Sequence, residues 1–279
     1  MNPHSRDDQH ITTMLVWHST VLINMYGTRI MTDPILFDKI GIRLWPRKVW
    51  LKRLTPASIA LEHIPHLDFV LLSHAHMDHW DMESLEALTQ QFPDTITFIC
   101  PKNTSKLLDC IPHKKAVTEI DRHEDIAFGD ILFRGGETKH RWARRPWERY
   151  KKHTAWHHAS KWHNSYLISH TTQDRHIVFW WDTAYTEAYK TLTAHLDSID
   201  IAIMPIGAYQ PWERHHCTPE QAVEMAKHMQ ASRFIPVHFE TFRLDNAPLK
   251  APITRLSNTL THDGDIELAI TQIGEVFVL

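Results

Sequence analysis

Residues 68–81 read DFVLLSHAHMDHWD, and this stretch decides the fold. The letters DFVLLS form a short continuous apolar run, which predicts a buried strand. The polar letters HAHMDHW then predict a loop at the carboxyl end of that strand, and Asp81 can cap a helix after it. The apolar residues that would share one face of this helix are Leu85, Leu88 and Phe92. A strand, a polar loop and a helix are therefore expected in succession.

The loop contains four side chains of the types that bind metals: His74, His76, Asp78 and His79. Two histidines spaced by one residue can turn toward the same point in a tight loop. Imidazoles suit zinc, and carboxylates suit zinc, manganese or iron. The alternative is a chance cluster on a polar loop, which the strand before it and the helix after it disfavour. The loop therefore predicts a metal site.

The rest of the chain alternates between strand and helix patterns. Residues 14–34 show two apolar runs joined by the letters YGT, which predict a β-hairpin. Further hairpins are predicted around Gly129 and between the runs YLISH and IVFWW, and a terminal strand pair from IELAI and EVFVL. Thr218 and Gln221 frame a capping box that predicts a helix. Two sheets packed together, with helices on their outer faces, are the expected architecture.

Three more residues with metal-binding side chains stand near the ends of predicted strands: His140, Asp182 and His238. Asp182 and His238 each end an apolar run, where an unpaired charge or imidazole is costly unless something binds it. His140 lies between Lys139 and Arg141, so its immediate neighbours alone favour a surface histidine. Strand ends are where a site assembled from several loops would lie.

Composition restricts the function classes. A chain of 279 residues can bury a sizeable core, and a single domain over 1–279 is expected. The formal net charge of -3 gives no general reason to favour nucleic acid or an anionic membrane, and no separate nucleic-acid module is visible. The polar start MNPHSRDDQH carries no secretory signal, so a cytoplasmic location is expected. Cys100, Cys110 and Cys217 are too few for a disulfide framework and are interpreted as small buried residues.

The segment 141–163 is basic and rich in tryptophan, with seven Lys and Arg against one acidic residue and four tryptophans. It could be a lid that binds a phosphate, or a peripheral membrane contact, since tryptophans and cations are favoured at lipid interfaces. A plain insertion that packs on the domain is the third interpretation and the preferred one.

These motifs resemble those of a known family. The letters SHAHMDH resemble the signature of the metallo-β-lactamase superfamily, which follows a buried strand and precedes a helix. Within it, the chain is similar to the branch that contains N-acylphosphatidylethanolamine-hydrolysing phospholipase D and its bacterial relatives. The segments that carry this similarity are HSTVLI, GTRIMTDPI, VLLSHAHMDHWD, ETKH, FWWDTAY, HHCTPEQAVEMA and RFIPVHFETFRL. One position differs from the family pattern: Trp17, the residue before His18, stands where many relatives have a glycine. The resemblance implies an α/β fold, a four-layer αββα sandwich.

The resemblance also implies a site for two divalent metal ions. The ligands it implies are His74, His76 and His140 for the first metal, Asp78, His79 and His238 for the second, and Asp182 bridging both. Such ions, roughly 3.5 to 4 Å apart, can share a hydroxide. Zinc is the expected metal, with manganese or iron as alternatives.

Two further residues receive roles from the family. The resemblance implies that Asp33 orients a ligand histidine without binding metal itself. The alternative is that Asp33 only caps a turn. His216 matches a histidine before a helix and implies a contact with substrate, with an ordinary loop histidine as the alternative.

The expected function is hydrolysis of a phosphodiester, in a small-molecule or lipid substrate, by a metal-bound hydroxide that Asp78 and Asp182 orient. The first alternative is a lactonase or other carboxylic ester hydrolase with the same site. The second is a metal-binding protein without catalysis, which the complete ligand set disfavours.

Overall fold

The computed structural model describes residues 9–38, 40, 42–44, 47–49, 53–140 and 162–279. The basic segment predicted at 141–163 lies outside the described residues, except for Trp162 and His163. Its interpretation as a lid, a membrane contact or a plain insertion therefore stays a prediction.

The described part of the chain divides into two compact units. The first holds the residues up to Glu119, the pair 162–163 and the residues from Gln272 onward. The second holds 120–140 and 164–271. Each unit contains one large sheet and one part of the predicted ligand set.

The first unit is built on a mixed sheet. The strands up to residue 120, and the last strand of the chain, are β1 (Ile11–Trp17), β2 (Thr20–Met25), β3 (Thr28–Thr32), β4 (Ile42–Leu44), β5 (Arg47–Val49), β6 (Phe69–Leu71), β7 (Thr97–Pro101), β8 (Ala116–Ile120) and β16 (Val276–Val278). The described strands form a seven-stranded sheet in the order β16-β1-β2-β3-β6-β7-β8, while β4 pairs with β5. Both β1 and β3 are antiparallel to β2, and β6 is parallel to β3. The carboxyl ends of β1, β3 and β6 therefore lie at the same edge.

The helix predicted after the histidine-rich loop is present as α1 (Met82–Gln91). The carboxylate of Asp81 accepts a hydrogen bond from the backbone N–H of Ser84 at 3.1 Å, as an N-cap residue does. Leu85 and Leu88 are fully buried in one apolar core with side chains of β6 and β7. The predicted succession of strand, loop and helix is confirmed.

The second unit is built on another mixed sheet. Its strands are β9 (Asp125–Phe128), β10 (Ile131–Gly136), β11 (Ser165–His170), β12 (Arg175–Phe179), β13 (Ile199–Pro205), β14 (Ala231–Val237) and β15 (Glu267–Leu268). They form a sheet in the order β15-β14-β13-β12-β11-β10-β9. Both β10 and β12 are antiparallel to β11, and β13 and β14 continue parallel to β12. The carboxyl ends of β10, β12, β13 and β14 thus share one edge.

The described helices of the second unit are α2 (Tyr189–Leu192), α3 (Pro219–His228) and α4 (Ala251–Asp263). The capping box predicted for α3 is present. The hydroxyl of Thr218 accepts from the backbone N–H of Gln221 at 3.4 Å, and the Gln221 side chain accepts from the Thr218 N–H at 3.0 Å. The predicted hairpins β9–β10 and β11–β12 are also confirmed.

Two details of the predicted strand pattern are wrong. The first apolar run of the hairpin at 14–34 is two strands, because the chain turns at His18, whose φ is +52°. The terminal runs do not pair with each other: β15 pairs with β14, and β16 pairs with β1. The described residues of the first unit also contain two 3₁₀ helices, Leu61–His63 and Ser105–Leu108. Hydrophobic pattern specifies neither a positive φ nor a strand's partner.

No helix in the described ranges has both the length and the apolar character needed to cross a membrane.

The cysteines differ in burial. Cys100 and Cys217 are buried, and burial raises the pKa of each thiol to about 12. Cys110 is exposed, in the turn after the 3₁₀ helix Ser105–Leu108. The interpretation as buried residues is confirmed for Cys100 and Cys217. It is wrong for Cys110, because turns lie at the surface.

In native protein at pH 8, a thiol reagent is expected to modify Cys110 quickly and the other two cysteines only after unfolding. A buried thiol with a raised pKa forms little thiolate, and the thiolate is the reactive species. Mass spectrometry of peptides from protein labelled with and without denaturant measures the difference. Rapid native labelling of Cys100 or Cys217 would contradict this burial.

Candidate metal centre

The first unit carries histidines and carboxylates at one edge of its sheet. His18 follows β1, Asp33 follows β3, and the loop 74–79 begins three residues after the end of β6. Because these strand ends share an edge, side chains from distant parts of the sequence meet there.

The histidine-rich loop folds back on itself. The carbonyl of His76 accepts hydrogen bonds from the backbone N–H groups of His79 at 3.2 Å and Trp80 at 2.7 Å. The ring centroid of His74 lies 4.3 Å from that of His76 and 4.4 Å from that of His79. Nε2 of His79 lies 3.9 Å from Oδ2 of Asp78. The structure therefore brings the four predicted loop ligands together.

Asp33 is a buried carboxylate that contacts this loop. Its Oδ2 lies 2.7 Å from Nδ1 of His79, and its Oδ1 accepts from the backbone N–H of Ser73 at 2.8 Å. The Ser73 hydroxyl donates to Asp33, and its oxygen lies 3.0 Å from Nδ1 of His74. Burial raises the pKa of the Asp33 carboxyl, and the hydrogen bonds from His79 and Ser73 oppose the rise. These contacts favour its ionised form.

This network selects the tautomers of two histidines. A carboxylate only accepts hydrogen bonds, so Nδ1 of His79 carries the proton that points at Asp33. The Ser73 oxygen, whose own proton goes to Asp33, accepts from Nδ1 of His74. Each imidazole then presents the lone pair of Nε2, the form in which histidine binds metals.

Replacing Asp33 by asparagine is expected to weaken zinc binding by about 10-fold to 100-fold, the usual cost of losing a partner that orients a ligand. The amide keeps the shape of the carboxylate but loses the charge that fixes the His79 tautomer. Competition for zinc with a chelator, on wild-type and variant protein, measures the affinity. If Asp33 only caps a turn, the variant will lose stability yet bind zinc like the wild type.

The second unit gathers its own donors at the carboxyl edge of its sheet. His140 lies in the segment after β10, Asp182 after β12, and His238 directly after β14. All three are buried. Oδ1 of Asp182 lies 2.8 Å from Nε2 of His238.

His216 joins this set from the loop before α3. Its Nδ1 lies 3.6 Å from Oδ1 of Asp182, and 12% of its side chain is exposed. Its ring centroid lies 5.6 Å from that of His238, nearly parallel, and 5.6 Å from that of His140, edge to face. The donor atoms of Asp182, His216 and His238 lie within 4.8 Å of one another. The predicted contact of His216 with substrate stays a prediction.

Backbone hydrogen bonds fix the chain beside these donors. The N–H of Ala184 donates to the carbonyl of Lys139 at 3.0 Å, and the N–H of Cys217 donates to the carbonyl of Thr183 at 2.6 Å. The Thr183 hydroxyl also accepts from the backbone N–H of Lys139 at 3.2 Å. The segments that carry three of the four donors are therefore tied together.

Three residues near the donors had no role in the sequence interpretation: His18, Ser73 and Gly207. Ser73 opens the motif SHAHMDH, and its position beside His74 was the available signal. Gly207 follows the apolar run DIAIMP, and a Cβ atom there would lie 2.0 Å from the carbonyl oxygen of His238. Only glycine permits that approach.

The chemistry of both sets fits divalent metal ions. Imidazole rings with centroids 4.3 and 4.4 Å apart would repel one another if all were protonated, so neutral imidazoles are favoured. Neutral imidazoles with carboxylates form the donor set of zinc, manganese and iron sites. Which of these metals is native stays a prediction.

Comparison with known proteins supports this interpretation. The profile of the Beta-lactamase superfamily domain matches residues 28–239. The chain is 29% identical, over 85% of its length and 67% of the relative's, to N-acyl-phosphatidylethanolamine-hydrolyzing phospholipase D 1 of Caenorhabditis elegans. It spans about two thirds of the length of several curated relatives.

Solved structures share its fold. A metallo hydrolase from the archaeon Ignicoccus hospitalis superimposes with a TM-score of 0.71 at 15% identity, covering 97% of this chain and 99% of that one. The metallo-beta-lactamase fold protein YhfI of Bacillus subtilis gives a TM-score of 0.65 at 15% identity, with 97% and 99% covered. The predicted fold class is confirmed. The single-domain prediction stays open, although the profile spans parts of both units. The chain belongs to the beta-lactamase superfamily and has the metallo-β-lactamase fold.

Proposed function

We propose that this protein is a binuclear metal-dependent hydrolase that cleaves phosphodiesters in the manner of a phospholipase D. The observation that carries the proposal is that buried imidazoles lie beside carboxylates in both units, at the carboxyl edge of each sheet. Membership of a superfamily that includes metal-dependent hydrolases supports it. The name of the Caenorhabditis elegans relative supports the phosphodiester as the bond cleaved.

The proposed donor set is the one that the resemblance to the superfamily implies. His74, His76 and His140 would bind one cation, Asp78, His79 and His238 the other, and Asp182 both. When bound, two divalent cations would lower the pKa of a water molecule and stabilise the negative charge that develops during attack.

The two ligand carboxylates are proposed to orient the attacking water by accepting its hydrogen bonds. The Asp78 side chain is 17% exposed, so water can reach it. Asp182 is almost fully buried, and its Oδ1 lies beside two imidazoles, His238 and His216. Asp182 is thereby held in one orientation, which reduces the reorganisation needed when the substrate reacts.

His216 is the proposed contact for a substrate phosphate. Its imidazole is partly exposed beside Asp182, whereas His140 and His238 are buried. An imidazole N–H can donate a hydrogen bond to a phosphate oxygen and favour its negative charge.

A substrate panel tests the proposed function. Zinc-loaded protein would be assayed with bis(p-nitrophenyl) phosphate, with N-acylphosphatidylethanolamine in detergent micelles, and with lactones and carboxylic esters. Hydrolysis of the phosphodiesters, lost on removal of metal and restored by its return, is the expected result.

Two other outcomes would contradict the proposal that the substrate is a phosphodiester. Turnover of lactones or carboxylic esters alone would indicate a carboxylic ester hydrolase with the same donor set. Tight binding of two cations without turnover of any substrate in the panel would indicate a metal-binding protein that lacks catalysis.

A further inference from the structure

The imidazole of His18 lies among the donors of the first unit, although His18 is outside the predicted ligand set. We propose that His18 is a positioning residue, whose imidazole holds Asp78 and His79 in the orientation that binds a cation. This inference rests on the proposed function, because it takes Asp78 and His79 as ligands.

The contacts of His18 point to these two residues. Nε2 of His18 lies 3.6 Å from Oδ2 of Asp78, and Nε2 of His79 lies 3.9 Å from the same oxygen. The ring centroids of His18 and His79 are 5.3 Å apart. The donor atoms of all three residues lie within 4.8 Å of one another. Oδ2 of Asp78 therefore lies close to two imidazole nitrogens, which restrict the positions that the carboxylate can take.

His18 and Asp78 differ in burial, and this difference assigns them different roles. The His18 side chain is fully buried, whereas 17% of the Asp78 side chain is exposed. A carboxylate at the surface ordinarily samples several rotamers, and fixing a ligand before the metal arrives raises affinity. The buried imidazole of His18 is suited to fixing the orientation of Asp78.

The turn that carries His18 is held by buried threonines. The Thr20 hydroxyl donates to the carbonyl of Asp33 at 2.8 Å and accepts from the N–H of Ile35 at 3.0 Å. The Thr32 hydroxyl donates to the carbonyl of Ser19 at 2.7 Å. These bonds tie the turn after β1, which carries His18, to the backbone of the turn after β3, which carries Asp33.

Trp17, the residue before His18, is also held by side-chain contacts. Its indole is fully buried, its Nε1 donates to the hydroxyl of Thr55 at 3.1 Å, and the guanidinium of Arg53 lies 4.2 Å from the ring centroid. Trp17 thus occupies a packed position. This packing limits the freedom of the backbone next to His18.

Replacing His18 by asparagine tests the role of the imidazole. Asparagine tolerates the φ of +52° found here, so the backbone conformation is preserved while the imidazole is lost. His66→Ala is the matched control, because Nε2 of His66 lies 3.5 Å from Oδ1 of Asp68 in the same unit, outside the donor set. Chelator competition gives the affinity for zinc, and the absorption spectrum of cobalt-loaded protein reports on the ligand geometry.

The expected result is an affinity for one of the two cations that is about 10-fold to 100-fold weaker in His18→Asn, with an altered cobalt spectrum. The affinity of His18→Asn for the other cation and its thermal unfolding curve should match those of the wild type. The His66→Ala variant should match the wild type in all of these measurements. A variant His18→Asn that binds both cations as tightly as wild type, with the same cobalt spectrum, overturns the inference. A wild-type protein that binds no cations overturns the proposed function itself, so the two failures are distinguishable.

If His18→Asn does not fold, His18→Gln provides the second test. Its amide N–H can reach toward Asp78 and is expected to retain more affinity than His18→Ala. Equal affinities in these two variants would also overturn the inference.

Discussion

Asp182→Ala is expected to reduce hydrolysis by about 100-fold to 1,000-fold, the scale on which single electrostatic groups act in catalysis. Asp182 is the proposed ligand of both cations, and its Oδ1 lies 2.8 Å from Nε2 of His238 and 3.6 Å from Nδ1 of His216. Its removal takes a proposed ligand and a negative charge from a buried group of neutral imidazoles, so the positive charge of the cations is less well compensated. The measurement is the rate on the best substrate of the panel, together with the metal content of the same sample.

Asp200→Ala is the matched control for this variant. Asp200 also belongs to the second unit and accepts hydrogen bonds from Arg175 at 2.7 Å and from the backbone N–H of His176 at 2.7 Å. Its loss should lower stability while leaving metal content and turnover unchanged. Full activity of metal-free Asp182→Ala protein would refute the proposed mechanism.

Gly207→Ala is expected to have the second largest effect, a loss of metal affinity together with a loss of about 1–3 kcal/mol of stability, the usual cost of forcing atoms into a packed site. The new Cβ would lie 2.0 Å from the carbonyl oxygen of His238, so the backbone of a proposed ligand must shift. His238 already has a φ of +64°, which leaves it few alternative conformations. Zinc affinity and a denaturant unfolding curve measure the two effects.

Gly129→Ala is the control that separates the clash with His238 from the effect of replacing a glycine elsewhere in the same unit. Gly129 lies in the hairpin turn between β9 and β10, has a φ of +59°, and has space for a Cβ atom. Its replacement should lower stability through backbone strain alone and leave zinc affinity unchanged. Equal zinc affinities in Gly207→Ala and wild type would show that the approach of Gly207 to His238 is unimportant for the site.

Features encoded in a short window of sequence could be predicted. The loop 74–79, the N-cap Asp81 and the capping box at Thr218 depend on residues a few positions apart, and each is present. The strand ends at Asp182 and His238 could also be predicted, because an apolar run that stops at a polar residue is visible in sequence. Because β12 and β14 are both parallel to β13, the residues that follow them lie at one edge of the sheet.

Features set by tertiary contacts could not be predicted. The break at His18 lies in an apolar run with no glycine or proline, and hydrogen bonds of Thr20 and Thr32 between two turns hold it. The approach of Gly207 to His238 depends on the pairing of β13 with β14. The partner of β16 is β1, at the opposite end of the sequence, so local pattern contains no information about it.

The metal content of the purified protein tests the central claim most directly. After equilibration with buffered zinc and removal of free metal, elemental analysis should find two ions per chain in the wild type and fewer in His76→Ala and Asp182→Ala. A wild-type protein without bound metal at saturating zinc, or two ions retained in both variants, would contradict the claim that these imidazoles and carboxylates form a binuclear centre.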